Sequence, residues 1–317
     1  MTLAQLTADR PFLADAGLET VLIYLDGIEL PDFAAFPLVD DPRGQEALTA
    51  YYRTYVDLAA HHGRGVVLDT PTWRASHERG TRLGYDAGRL ADINRAGVQL
   101  VRDVASLHAD VTVVVNGAVG PRGDGYVVDT AMSAAEATDY HGLQARAFAD
   151  AGADMMSAIT MTYAEEAIGI TRAAVAVELP VAVSFTVETD GRLPSGQALG
   201  DAIRQVDDAT SGGPAYYLVN CAHPTHFHDV LERAAGTDSI GRIKGVRANA
   251  STMSHAELDA ATDLDRGDIA DLARWYGRLQ DVLDLRVMGG CCGTDHEHID
   301  AIAAATSHSL IGSRSGE

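Results

Sequence analysis

Residues 154–186 read DMMSAITMTYAEEAIGITRAAVAVELPVAVSFT, and the fold is decided in this stretch. A short apolar run, Asp154 to Thr160, gives way to a segment of helical periodicity, Ala164 to Glu178, and then to a second apolar run, Val181 to Thr186. Both runs are close to continuously hydrophobic. Strands of that kind are buried on both faces, as in a parallel sheet covered by helices.

The same strand and helix alternation extends in both directions. Runs at Phe12 to Ala16, Gly65 to Thr70, Val111 to Gly117, Tyr216 to Cys221, Ile243 to Ala248 and Arg286 to Gly290 bring the predicted strands to eight. Helical patterns at Gln45 to His62, Ala87 to Leu107, Ala134 to Ala151 and Asp268 to Leu283 fall between them, and Ser133 with Glu136 reads as a capping box. Eight such units predict an α/β fold of one kind, a single closed (β/α)8 barrel, as one domain over residues 1–317. An open doubly wound sheet would place a glycine-rich phosphate turn after its first strand. Here that position holds Asp15-Ala16-Gly17-Leu18-Glu19-Thr20, and no lysine supports a phosphate loop.

With 46% hydrophobic and 22% charged residues and no low-complexity stretch, the chain has the profile of a globular enzyme. Its formal net charge is −21 and Lys244 is its only lysine. Such a surface repels phosphate backbones and anionic lipid, which argues against nucleic-acid and membrane partners. The start, MTLAQLTADRPFLADAG, lacks the basic and apolar regions of a signal peptide, and no long apolar run follows, so the expectation is a cytoplasmic protein. A homo-oligomer is compatible with everything in the sequence. Three cysteines, two of them adjacent, make a poor disulfide framework, and a reducing compartment leaves them as thiols.

All three cysteines close predicted strands: Cys221 ends AYYLVNC, and Cys291 with Cys292 ends LRVMGGCC. In a barrel those ends gather on one face, where catalytic residues sit. Three thiolates at about 2.3 Å from a zinc ion leave a fourth tetrahedral position open, the arrangement of a catalytic site. Gly289, Gly290 and Gly293 are expected to let the backbone turn tightly enough for two neighbouring cysteines to reach one ion. The open position suits a substrate thiol, which zinc would favour as thiolate near neutral pH.

The segment Gly289-Gly290-Cys291-Cys292-Gly293-Thr294, followed by Asp295-His296-Glu297-His298-Ile299, resembles the zinc-binding signature of the homocysteine S-methyltransferase family. Val219-Asn220-Cys221-Ala222-His223-Pro224 looks like that family's other zinc motif, and Asp15-Ala16-Gly17, Thr70-Pro71-Thr72-Trp73, Asn116-Gly117 through Gly120-Pro121, and Ser184-Phe185-Thr186 match it in order along the chain. The resemblance implies zinc on Cys221, Cys291 and Cys292, and a homocysteine thiol methylated by a small donor to give methionine. Asp15 would meet the substrate ammonium and Thr70 its amino-acid end, with Thr72 and Asn220 as further substrate-binding positions. The length leaves no room for folate or cobalamin domains, so S-methylmethionine and S-adenosylmethionine are the expected donors.

Two positions depart from the family pattern. Ile159 stands where a glutamate usually helps fix the substrate amino group, and Arg74 replaces an aromatic residue. Arg74 is read as either a bidentate partner for a substrate carboxylate or an outward-facing loop residue. These departures motivate an alternative, the same chemistry on another thiol or selenol; a zinc-binding regulatory protein without turnover is a further one. His223, His226, His228, His296 and His298 sit where helices begin and are assigned surface or supporting roles, while Trp73 and Tyr163 are candidates for lining a donor pocket.

Overall fold

The computed structural model describes residues 2–129 and 131–306. All eight expected strands are present: β1 (Phe12–Ala14), β2 (Val66–Asp69), β3 (Val113–Val119), β4 (Met155–Met161), β5 (Val181–Phe185), β6 (Tyr216–Asn220), β7 (Ile243–Ala248) and β8 (Val287–Gly290). Each pairs in parallel with the next, and β1 pairs with β8 to close the barrel.

Alternation along the strands sorts side chains into two layers. Phe12, Val67, Val114, Met155, Tyr216 and Val287 point inward and fill the barrel. The helix Ala4–Thr7 stoppers its lower end, where Gln5 donates to Met155 Sδ at 3.1 Å and to Tyr216 Oη at 3.3 Å. With that end shut, the C-terminal ends of the strands are left to form a site. Outward-facing residues such as Leu68, Val115, Val183 and Val219 pack with Tyr52, Phe148 and Ile299 of the helices. Gly117 is required there, because an added Cβ would lie 2.4 Å from the Phe148 ring.

The helices begin where their caps dictate. Pro42–His62 starts three residues before its apolar periodicity, since the Asp41 side chain accepts from Gly44 N and Pro42 supplies a preset φ. Ser133 and Glu136 form the expected capping box at the head of Ala134–Asp150. Strands differ from expectation mainly at their upper ends. Ala16, Thr70, Thr186 and Cys221 lie past the paired residues of β1, β2, β5 and β6, because the chain leaves the sheet there to build the site. Among the described residues, no helix is long and apolar enough to cross a membrane.

Candidate active site

β7 lies between β6 and β8 and holds both halves of the cysteine cluster. The Cys221 amide donates to the Arg247 carbonyl at 3.1 Å, and the Cys291 amide donates to the Ala248 carbonyl at 2.8 Å. Cys221 takes a left-handed backbone, φ 53°, which for a residue with a Cβ costs on the order of 1–2 kcal/mol. Its carbonyl is fixed by His255 Nε2, which donates at 2.7 Å. The turn after β8 is pinned by Thr294 Oγ1, which donates to the Cys291 carbonyl at 2.7 Å.

The glycine expectation is corrected here. Only Gly293 has a positive φ, 79°. Gly289 and Gly290 belong to β8 and are small for another reason: an added Cβ would lie 2.6 Å from Ala14 Cβ at Gly289 and 2.0 Å from Thr294 Oγ1 at Gly290. Close approach to neighbours, not turning, excludes larger side chains at that pair.

The sulfurs of Cys221, Cys291 and Cys292 lie within 4.8 Å of one another, and Cys221 Sγ is 3.8 Å from Cys292 Sγ. Two sulfurs bound at about 2.3 Å to one tetrahedral ion stand about 3.8 Å apart, so this donor set fits a soft cation such as zinc. Hydrogen bonding with Cys221 and Cys292 holds the Cys291 thiol well below the ordinary thiol range, while hydrogen bonding with Cys291 and Cys292 pushes Cys221 up. Tyr126 Oη donates toward Cys292 Sγ at 3.6 Å and Cys221 Sγ at 3.9 Å, with its ring stacked on His255 at 4.0 Å.

The sulfurs face an inner cavity of about 80 Å³ that opens into an outer one of about 390 Å³. Asp15, Glu19, Asp69, Thr70, Ile159, Asn220 and Arg247 line the inner cavity. Arg247 from β7 reaches Asp15 Oδ1 and Asp69 Oδ2, each at 2.5 Å, and bridges the two carboxylates. Burial pushes the Asp15 carboxyl up against the pull of Arg247, to about 7. Burial also opposes the Arg247 charge, but Asp69 and Asp15 hold it above the ordinary guanidinium range. Asp15 therefore lines the cavity as expected, yet one of its oxygens is already engaged by a protein cation.

Thr70 lies on the cavity wall, where its Oγ1 accepts from the Ala118 amide at 3.0 Å and meets Thr72 Oγ1 at 2.6 Å. Thr72 does not line either cavity; it stands behind Thr70, fully enclosed, with its hydroxyl donating to the Ala118 carbonyl at 2.9 Å. Asn220 lines the inner cavity, but its amide is committed to bracing neighbouring strands. Its Oδ1 accepts from Thr160 N at 3.0 Å and Ser184 Oγ at 2.6 Å, and its Nδ2 donates to Thr160 Oγ1 at 2.7 Å.

Arg74 is not an outward-facing residue: it is 7% exposed, lies 4.0 Å over the Trp73 ring, donates to the Gly123 carbonyl at 2.8 Å, and lines the outer cavity. Burial and the Arg79 charge lower it to about 10, which leaves it a cation near neutral pH. Trp73 lines both cavities, whereas Tyr163 lines neither and uses its hydroxyl to accept from Met132 N at 2.9 Å. Among the described residues, no histidine joins the three sulfurs. His223 caps the helix Pro224–Arg233, and His298 bonds Asp295 at the head of His296–Ala305.

Sequence reasoning missed Arg247, Glu19 and Tyr126. Arg247 left a readable mark, a charge inside the apolar run Ile243 to Ala248. Glu19 and Tyr126 sit on loops, where no periodicity separates a cavity residue from a solvated one.

A closed barrel carrying a three-thiol cluster at the upper ends of β6 and β8 defines a class in which a thiol-rich centre meets a small enclosed cavity. The chain belongs to the homocysteine S-methyltransferase family, a sequence model of which matches residues 12–306, and it is a methyltransferase of that family. The homocysteine methyltransferase MmuM from Escherichia coli shares the fold. Its metallated form is 21% identical with a TM-score of 0.74, over 94% of this chain and 96% of that one. Its oxidized form is 20% identical with a TM-score of 0.76, over 95% and 97%. A comparison with curated protein sequences found no match.

Proposed function

We propose that the chain transfers a methyl group from a small cationic donor to the thiol of homocysteine, giving methionine, with a zinc ion held by Cys221, Cys291 and Cys292. The observation that carries this reading is the convergence of those three sulfurs on a cavity that also holds fixed charges for an amino acid. That the Escherichia coli relative occurs in a metallated form supports a metal here. Zinc bound by the three cysteines would supply Lewis acidity, letting an acceptor thiol react as thiolate near neutral pH.

The chain's own residues position the reactants. Phe33, Trp73 and Thr160 border both cavities, so an acceptor held inside and a donor entering from outside would meet at that boundary. In an in-line displacement the acceptor sulfur forms a bond to the methyl carbon as the donor's sulfur to methyl bond breaks, and no protein nucleophile is needed. Asp124, Asp259, Asp263 and Asp265 line the outer cavity against the single guanidinium of Arg74. That balance favours a sulfonium such as S-methylmethionine or S-adenosylmethionine over an anionic donor. Arg74 is the candidate partner for a substrate carboxylate.

A second reading keeps the chemistry and changes the acceptor to another thiol or selenol, favoured by the apolar Ile159 in the inner wall. We further place the protein in the cytoplasm as one barrel domain, where a reducing medium keeps the thiols free for metal. Mass spectrometry of methionine formed from homocysteine and each sulfonium donor tests the main reading. Zinc-loaded protein that yields no methionine with either donor refutes it.

A further inference from the structure

Three arginines are buried among the described residues, and two of them are fully engaged. Arg247 bridges Asp15 and Asp69. Arg64 gives both Nη groups to Ala303 and Thr306 at the C-terminal end of His296–Ala305, where helix carbonyls favour a cation. Arg74 is the third. Nη1 alone of its nitrogens makes a hydrogen bond, to the Gly123 carbonyl at 2.8 Å, and the guanidinium lies 4.0 Å over the Trp73 ring. Among the described residues its buried Nε meets no acceptor, and no carboxylate forms an ion pair with it. Asp124 acts on Arg74 without touching it, and its Oδ1 is taken by the amides of Tyr126 at 2.7 Å and Val127 at 3.2 Å.

A second observation points to an anion. Arg79 donates from Nη2 to the same Gly123 carbonyl at 3.2 Å, so two guanidiniums converge on one neutral oxygen in a chain whose net charge is −21. Like charges placed that way repel, and a buried cation without a partner is costly; an anion brought to them recovers both costs. The position says which molecule brings it. Arg74 lines the outer cavity and not the inner one. An acceptor whose sulfur reaches the cysteines from the inner cavity leaves Arg74 to the molecule that fills the outer one. Asp259, Asp263 and Asp265 line the same outer cavity and suit a cationic group of that molecule. The cavity is thus built for a ligand with charges of both signs.

We propose that Arg74, backed by Arg79, receives the carboxylate of the methyl donor, so that the donor class is a sulfonium carrying a carboxylate rather than a simple sulfonium. The proposal rests on the thiol-methyltransferase reading above and gives Arg74 to the donor, not to the acceptor. The planar guanidinium, held flat by Trp73, suits the two oxygens of a carboxylate, and this chain places it where the family pattern has an aromatic residue.

The test compares wild type, Arg74→Gln and Arg74→Lys, all zinc-loaded, with homocysteine as acceptor and two pairs of donors. S-methylmethionine is set against (3-aminopropyl)dimethylsulfonium, and S-adenosylmethionine against its decarboxylated form, so each pair differs only in the carboxylate. Wild type should favour the carboxylate-bearing member by about tenfold or more in kcat/KM. Arg74→Gln should raise KM for that member about tenfold or more with little change in kcat, and leave KM for its counterpart unchanged or lower. KM for homocysteine should stay within about twofold. Arg74→Lys should recover part of the loss, since it keeps the charge without the planar fork. If wild type uses both members of a pair equally, or Arg74→Gln loses equally on both, or the rise in KM falls on homocysteine instead, the Arg74 assignment is overturned while the methyltransferase reading stands. If wild type methylates homocysteine from none of the four donors, that reading falls and takes the assignment with it.

Discussion

Cys221 Sγ and Cys292 Sγ lie 3.8 Å apart although 71 positions separate them in the chain. The spacing is set by backbone, since both halves of the cluster hang from carbonyls of β7, those of Arg247 and Ala248. The backbone therefore sets where the donors stand, and removing one sulfur should leave the other two in place. Cys292→Ser should fold with an unchanged circular dichroism spectrum and lose zinc affinity by more than about tenfold. Elemental analysis after dialysis reads that loss directly. Stripping wild type with a chelator should abolish methyl transfer, and zinc should restore it.

Arg247 is the structural keystone of the inner cavity. It holds two buried carboxylates at once, and Arg247→Met would leave both without a cation. Breaking a buried pair in that way costs about 3–5 kcal/mol. A urea unfolding midpoint well below that of wild type is the expected result. Asp69→Asn should cost less, because Arg247 keeps Asp15 as a partner.

The barrel was legible because its strands are apolar runs of the right length and its helices carry caps, so pattern and local chemistry agreed from Phe12 to the helix at His296–Ala305. The cysteines were legible because a rare residue type clustered at strand ends. The rest of the site was obscured by tertiary pairing. Asp15 read as a free carboxylate because nothing in the sequence shows that a residue 232 positions later bonds it. Thr72 read as a cavity residue because proximity to Thr70 in sequence does not reveal which hydroxyl stands in front. Gly289 and Gly290 were identified as special for the wrong reason, since a glycine demanded by close packing and one demanded by a turn look alike in a string of letters.

The acidic rim of the outer cavity should act on donor binding through long-range charge. Asp259 and Asp263 line that cavity from the segment that follows β7. The double variant Asp259→Asn/Asp263→Asn should raise KM for a sulfonium donor severalfold at low ionic strength. The difference from wild type should shrink as salt rises toward about 0.5 M, where the screening length falls to a few ångströms. KM for homocysteine should stay within about twofold. Initial rates across a salt series measure all three.

Glu19 should weaken the fold in a pH-dependent way. Its carboxyl is raised from 4.5 to about 7 by burial, with its own backbone amide opposing and Cys291 adding to the rise. A carboxylate raised in the folded state binds more protons folded than unfolded between those values, so its contribution to stability falls as pH climbs from about 4.5 to 7. Below that window the penalty is absent, and above it the penalty is complete. Glu19→Gln removes the ionisable group, so the variant should be more stable than wild type by on the order of 2–3 kcal/mol at pH 8 and by less than about 1 kcal/mol at pH 5. Arg74, Asp69 and Cys291, the charged groups that act on Glu19 in wild type, are all retained in the variant. Urea unfolding of both proteins at the two pH values measures the difference, and a gap that is the same at pH 5 and pH 8 would show that Glu19 does not ionise within the folded cavity.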